Sequence, residues 1–278
     1  MSDNEYGIED FFDKPYAKRQ FVQFVPLEEL DAAVAGESED SAKGNSEMAI
    51  FIAAGGIVGA IAAVGAQMIG TKTNKKKSES DLSIFYVPFA EIDSFNLAPG
   101  HPQRGVLYAA HPSDRFTYLP TADFHRLTFE HKFSEAIQLL MHLGAETIKV
   151  NHESGWGRDF AARLSAGIPQ AEGGAQAEAS GSEHEKDQAL YEAKLPGHTS
   201  PKLPDKLVWY PYQPTWKNIA EGRIDFGMEK FNLKLQYTED YGINADLAVD
   251  LQKIGLGLGG SFEKHQKTVW TIEGTFKT

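Results

Sequence analysis

An α+β fold is the class this sequence predicts: a small mixed sheet with one main packing helix, antiparallel C-terminal strands, and a separate Gly/Ala-rich apolar helix. Three observations predict it. Residues 122–143 repeat their apolar side chains at helical spacing and run through Gly144 directly into an alternating pattern. Several short stretches rich in β-branched and aromatic residues are punctuated by Gly, Pro and Asn. Met48 to Thr71 is a run of 24 positions without a charged side chain, in a chain that is 24% charged.

Taken in order, Phe21 to Val25 (FVQFV) reads as a short strand. Pro26 then opens a helical stretch with Leu27, Leu30 and Val34 on one face and Gly36 as its stop. Residues 36–47 form an acidic linker. The apolar run MAIFIAAGGIVGAIAAVGAQMIGT follows, and as a single helix it is long enough for a bilayer core of about 30 Å, which needs about 20 residues. Its strongly apolar members are Ile50, Phe51, Ile52, Ile57, Val58, Ile61, Val64 and Ile69, which together supply about −2 to −5 kcal/mol of insertion preference. The rest is mostly Ala and Gly. Such a segment inserts only marginally alone, but Gly55 and Gly59 form a GxxxG pair and Ala63 extends the row, so helices can approach closely and self-associate. A competing reading has the same run buried inside a soluble core.

A polar, basic linker spans 72–80. Lys72, Lys75, Lys76 and Lys77 lie where they would meet anionic head groups, at about 1 kcal/mol each. By the excess of positive charge that marks cytoplasmic flanks, they orient residues 72–278 toward the cytoplasm and the first 47 residues outside.

Leu82 to Phe89 and Gly105 to Ala110 are strand stretches. Thr121 is placed to cap the helix that carries Phe124, Leu127, Phe133, Ile137, Leu140 and Met141 on its apolar face. Ala145 to Val150 alternates as a strand. Residues 166–188 are poor in aromatic and β-branched residues and read as a flexible insert. Beyond them, Pro214 to Arg223 reads as a short helix, and Phe231 to Tyr237, Ile243 to Leu251 and Thr268 to Phe276 read as strands. Ile254 to Gly260 (IGLGLGG) signals a bend or a close backbone approach; a phosphate loop is excluded because no helix with Lys-Ser/Thr follows. The resulting division is 1–47, 48–71, 72–80, 81–165, 166–188 and 189–278.

Composition narrows the function classes. The net charge of −12 is concentrated in residues 1–47, where 12 acidic side chains face 4 basic ones. Nucleic acid is not an expected partner, because no basic stripe exists outside the lysine cluster. With no cysteine, there is no disulfide framework, thiol nucleophile or thiolate metal site. The acidic opening MSDNEYGIEDFFDK differs from a cleavable secretory signal, so membrane entry is expected to use the internal run.

No catalytic residue, metal or cofactor is expected. His131, Glu135 and His142 share a helix face, with His125 and His152 near in sequence, but HExxH is missing and solvated helix-face residues account for the spacing. Ser154 lacks the GxSxG elbow of a serine nucleophile. Trp209, Tyr210, Tyr212 and Trp216 read as the edge of a core. The expectation is a non-enzymatic, toxin-like or defence effector. It would be soluble before activation, then oligomerise in an inner or plasma membrane and form a pore or depolarise it. The alternative is an interaction or adaptor protein, either anchored by the apolar run or soluble with the run buried.

Overall fold

The computed structural model describes residues 8–28, 48–53, 57–64, 82–157, 159–161, 189–253 and 256–278. The expected linkers at 36–47 and 72–80, the insert at 166–188 and nearly all of the expected helix after Pro26 lie outside them. In chain order the elements are α1 (Ile8–Phe12), β1 (Phe21–Val25), β2 (Met48–Ala53), β3 (Ile57–Val64), β4 (Leu82–Pro88), β5 (Asn96–Leu97), β6 (Leu107–Ala110), β7 (Thr117–Pro120), α2 (Phe124–His142), β8 (Ala145–Ser154), β9 (Ala189–Lys194), α3 (Pro214–Phe226), β10 (Lys230–Tyr237), α4 (Ala245–Lys253) and β11 (Thr268–Phe276). The fold is α+β, with two sheets and several helices.

Compactness divides the chain differently from composition. One unit comprises residues 1–124 and 242–263, the other residues 125–241 and 264–278. The first holds a seven-stranded mixed sheet in the order β2-β3-β4-β1-β6-β7-β5, with β1 parallel to β4 and β5 parallel to β7. Its core is aromatic. Phe11 of α1 stacks on Phe85 at 4.4 Å, and Phe24 meets Phe95 and Tyr108 edge-on at 5.1 and 5.5 Å. Such pairs favour one geometry beyond the area they bury. Tyr118, fully buried, donates its hydroxyl to the Arg19 carbonyl at 2.8 Å, and burial pushes its phenol well above the ordinary range.

The second unit is a four-stranded antiparallel sheet, β10-β11-β8-β9, with a single packed face. Along β10 burial alternates strictly: Phe231, Leu233, Leu235 and Tyr237 are buried, and Lys230, Asn232, Lys234 and Gln236 are exposed. They join Phe133, Ile137 and Leu140 of α2 and Trp216 and Ile219 of α3 in one hydrophobic core. The opposite face is polar. There Thr147 and Thr275 share a hydroxyl hydrogen bond at 2.8 Å, and Asn151 donates to Glu273.

Gly144 stops α2 as expected, with φ +90°; a Cβ there would stand 2.2 Å from the His198 carbonyl oxygen, so only glycine fits. Arg223 of α3 completes the end of α2 by donating to the Leu143 carbonyl at 3.2 Å, and also binds the Met228 and Lys277 carbonyls. The Thr121 hydroxyl, just before α2, donates to the Leu107 and Leu258 carbonyls and ties neighbouring segments of the first unit.

Two sequence expectations meet a different backbone. Ile243 to Leu251 is not a strand, because Ala245–Lys253 is helical. Asn244 Oδ1 accepts the amides of Asp246 and Leu247, an N-cap that outweighs the period-two pattern. Leu247, Ala248 and Leu251 are buried and Val249 is 51% exposed, which is helical spacing; the apparent alternation arose from placing Ala248 on the polar side.

Met48–Ala53 and Ile57–Val64 are strands where a Gly/Ala-rich helix was expected. The β-branched residues at 50, 52, 57, 58, 61 and 64 suit a pleated surface, and each glycine costs a helix about 1 kcal/mol. The remaining positions of the run, 54–56 and 65–71, lie outside the described residues. The glycine-rich segment behaves as read: Gly257 donates to the Gly105 carbonyl at 2.8 Å and accepts from Leu107 at 3.0 Å, a close backbone approach beside β6.

Candidate functional site

The expected membrane-active residues fall on a pair of antiparallel strands. Phe51 of β2 lies opposite Gly59, Ile52 opposite Val58 and Ile50 opposite Ala60. β3 continues onto β4, with Ile61 opposite Phe85, Ala63 opposite Ser83 and Val64 opposite Leu82. Ile50, Phe51, Ile52, Ile57, Val58, Gly59, Ile61, Ala63 and Val64 are therefore brought together by backbone pairing. Gly55, Ile69, Lys72, Lys75, Lys76 and Lys77 lie outside the described residues. Two arms of 6 and 8 residues are shorter than the 9–11 that a spanning β-strand requires. Among the described residues no helix is long and apolar enough to cross a membrane. In this form β2 and β3 are the outer strands of a sheet, β3 paired to β4.

A second group of residues is built along the buried side of α2; the sequence reading names two of them, His125 and Glu135, but has them solvated, whereas both are buried. Its members stand at positions 125, 128, 132 and 135, the helical spacing of a core-facing stripe. All four are buried and polar. Glu135, 4% exposed, accepts three backbone amides from a single segment: Val208 at 2.7 Å, Trp209 at 2.8 Å and Tyr210 at 2.8 Å. The carboxylate thus anchors the approach to the short helical turn Tyr210–Tyr212. A buried charge is tolerated here because directed N–H groups replace its water.

Glu135 is therefore occupied, and His131 and His142 do not join it in a ligand set. Among the described residues no three metal-capable side chains converge. Ser154 ends β8 next to the Gly155 turn, while Trp209 and Trp216 are buried and Tyr212 is exposed.

Lys132 donates to the Gln236 carbonyl at 2.8 Å, and its ammonium lies 4.9 Å from the Trp209 ring centroid. Burial disfavours its charged form and brings its pKa down to about 8. A titration of lysine side-chain resonances by NMR should therefore show Lys132 with a midpoint near 8. A midpoint in the ordinary lysine range would mean that water reaches the ammonium.

At the start of the same helix, His125 is fully buried and shares a hydrogen bond of 2.8 Å between Nδ1 and the Tyr237 hydroxyl. The His265 ring lies 4.9 Å from His125 and 5.4 Å from Tyr237, centroid to centroid. Tyr241 stands 6.1 Å from Tyr237, its phenol pushed up to about 12 by burial and by nearby Glu239. The signal available in sequence was the polar stripe within an apolar helix face; its partners at 208–210 and 236–265 are distant in the chain and left no local trace.

No protein family, curated protein or solved structure matches this chain.

Proposed function

We propose that this chain is a non-enzymatic, membrane-associated effector that inserts the segment Met48–Thr71, oligomerises and disrupts or depolarises the membrane, with its main body on the cytoplasmic side. The observation that carries this reading is the run of 24 uncharged positions between an acidic stretch and a lysine cluster. As paired strands its arms are too short to span, whereas as one helix the run is long enough. Insertion on this reading takes the run out of its pairing with β4 and converts it to a helix, so a water-soluble form precedes the membrane form. Two such states need differential binding of the lipid surface to one of them.

The second reading is an interaction protein whose apolar run is simply part of its sheet. It is favoured by the continuous register of β3 on β4.

The experiment compares the wild type with a variant carrying Gly55→Leu, Gly59→Leu and Ala63→Leu, by flotation with anionic liposomes and by dye release. A passive anchor gains from added leucine, whereas helices that must touch lose their close approach. Retained flotation with lost leakage is the outcome expected for the effector. A wild type that neither floats nor releases dye, and that unfolds when the run is deleted, gives the interaction reading.

A further inference from the structure

Three segments of the second unit meet at one partly buried polar point: the first turn of α2 at His125, the stretch from Tyr237 at the end of β10 to Tyr241, and the stretch Lys264–Lys267 that leads into β11. His265 closes this group from the third segment. It makes ring contacts with His125 and Tyr237, while its Nε2 is buried and has no hydrogen-bond partner among the described residues. Tyr241 holds a left-handed backbone at φ 53°, a conformation that non-glycine side chains keep only when their surroundings enforce it.

We propose that His265 is an acid-operated latch: neutral, it lies against His125 and Tyr237; protonated, it leaves and detaches Lys264–Lys267 from the second unit. A neutral imidazole can present an unprotonated nitrogen to apolar surroundings at modest cost. The imidazolium has N–H donors on both nitrogens, and the one at Nε2 has no acceptor within reach. The charged form must also lose water beside the rings of His125 and Tyr237. The other groups facing it are Glu239 and Asp240, which favour the proton, and Lys267, which opposes it; burial outweighs the two acids and holds the His265 pKa below its ordinary value.

The sign follows. The folded state prefers neutral His265, so its contribution to stability is complete above the ordinary histidine value of 6.5 and is lost as pH falls through the lower folded value.

The test is the ring-to-ring nuclear Overhauser effect between residue 265 and Tyr237 in the full chain between about pH 7.5 and about pH 5.5, beside an NMR titration of the His265 ring. Because the folded state prefers the neutral ring, the wild-type contact should be present at the upper pH and fall away as pH drops through the folded value. The variant His265→Phe keeps a ring without a proton to gain and should show no such fall. The latch is overturned by a pH-independent ring contact in the wild type, by an equal fall in His265→Phe, or by a His265 ring that titrates at or above its ordinary value. The ring titration uses the wild type and decides the matter even where the variant does not fold.

Discussion

Replacing Ile57 and Ile61 by aspartate together is expected to move the chain from the membrane pool to the soluble pool. Each aspartate at the centre of an inserted helix costs about 2.5 to 3.5 kcal/mol, so the pair costs about 5 to 7 kcal/mol, more than the about −2 to −5 kcal/mol that the apolar residues of the run supply. The balance turns against insertion whatever the packing of neighbouring helices adds at ordinary magnitudes. Fractionation with a liposome control measures this. If the run serves only within the sheet, the same variant places aspartates in the register rows of Ala53 and of Ala49 and Phe85, and the expected result is misfolded, pelleting protein. A soluble, monodisperse variant that no longer floats is the signature of lost insertion, and an unchanged distribution sinks the membrane proposal.

Glu135→Ala is expected to destabilise the second unit by about 3 to 6 kcal/mol, because three backbone donors lose a charged acceptor and at least one is left in a buried place. Glu135→Gln keeps one acceptor oxygen and brings an NH₂ group against the remaining amides, so it should fall between the wild type and alanine. At about 2 to 4 °C per kcal/mol for chains of this size, the alanine variant should melt at least several degrees lower in the transition that reports the second unit. Tryptophan fluorescence follows that transition directly, since all of Trp156, Trp209, Trp216 and Trp270 lie in its core. An unchanged midpoint would mean that the 207–213 segment is held by Trp209 and its neighbours alone.

Sequence periodicity located α2, β8, α3, β10 and β11 because each is long relative to its period and ends in recognisable chemistry: Gly144 after α2, Pro214 at the start of α3. It failed where two periods fit the same residues. Ile243 to Leu251 satisfies both alternation and helical spacing, and the choice was made by one side chain, Asn244, whose capping role is worth about 1 kcal/mol. Length alone leaves the conformation of Met48–Thr71 open, since 24 uncharged residues can be one helix or two strands, and the partner that favours strands, β4, is supplied by another part of the chain. Pairings such as Glu135 with residues 208–210 or Tyr118 with Arg19 bridge long stretches of sequence and depend on the finished fold, so no local pattern encodes them.

The position of β11 bears on how the protein comes to be folded at all. In the second sheet it runs between β10 and β8, so neither of those strands has its common neighbour until Thr268–Phe276 has been synthesised. The first unit differs, because all seven strands of its sheet lie within residues 1–124 and only residues 242–263 are translated after most of the second unit. The second core cannot close progressively as the chain leaves the ribosome. It waits on contacts between segments far apart in sequence, the kind that form slowly, so the facing edges of β8 and β10 stay unpaired until the last strand has emerged.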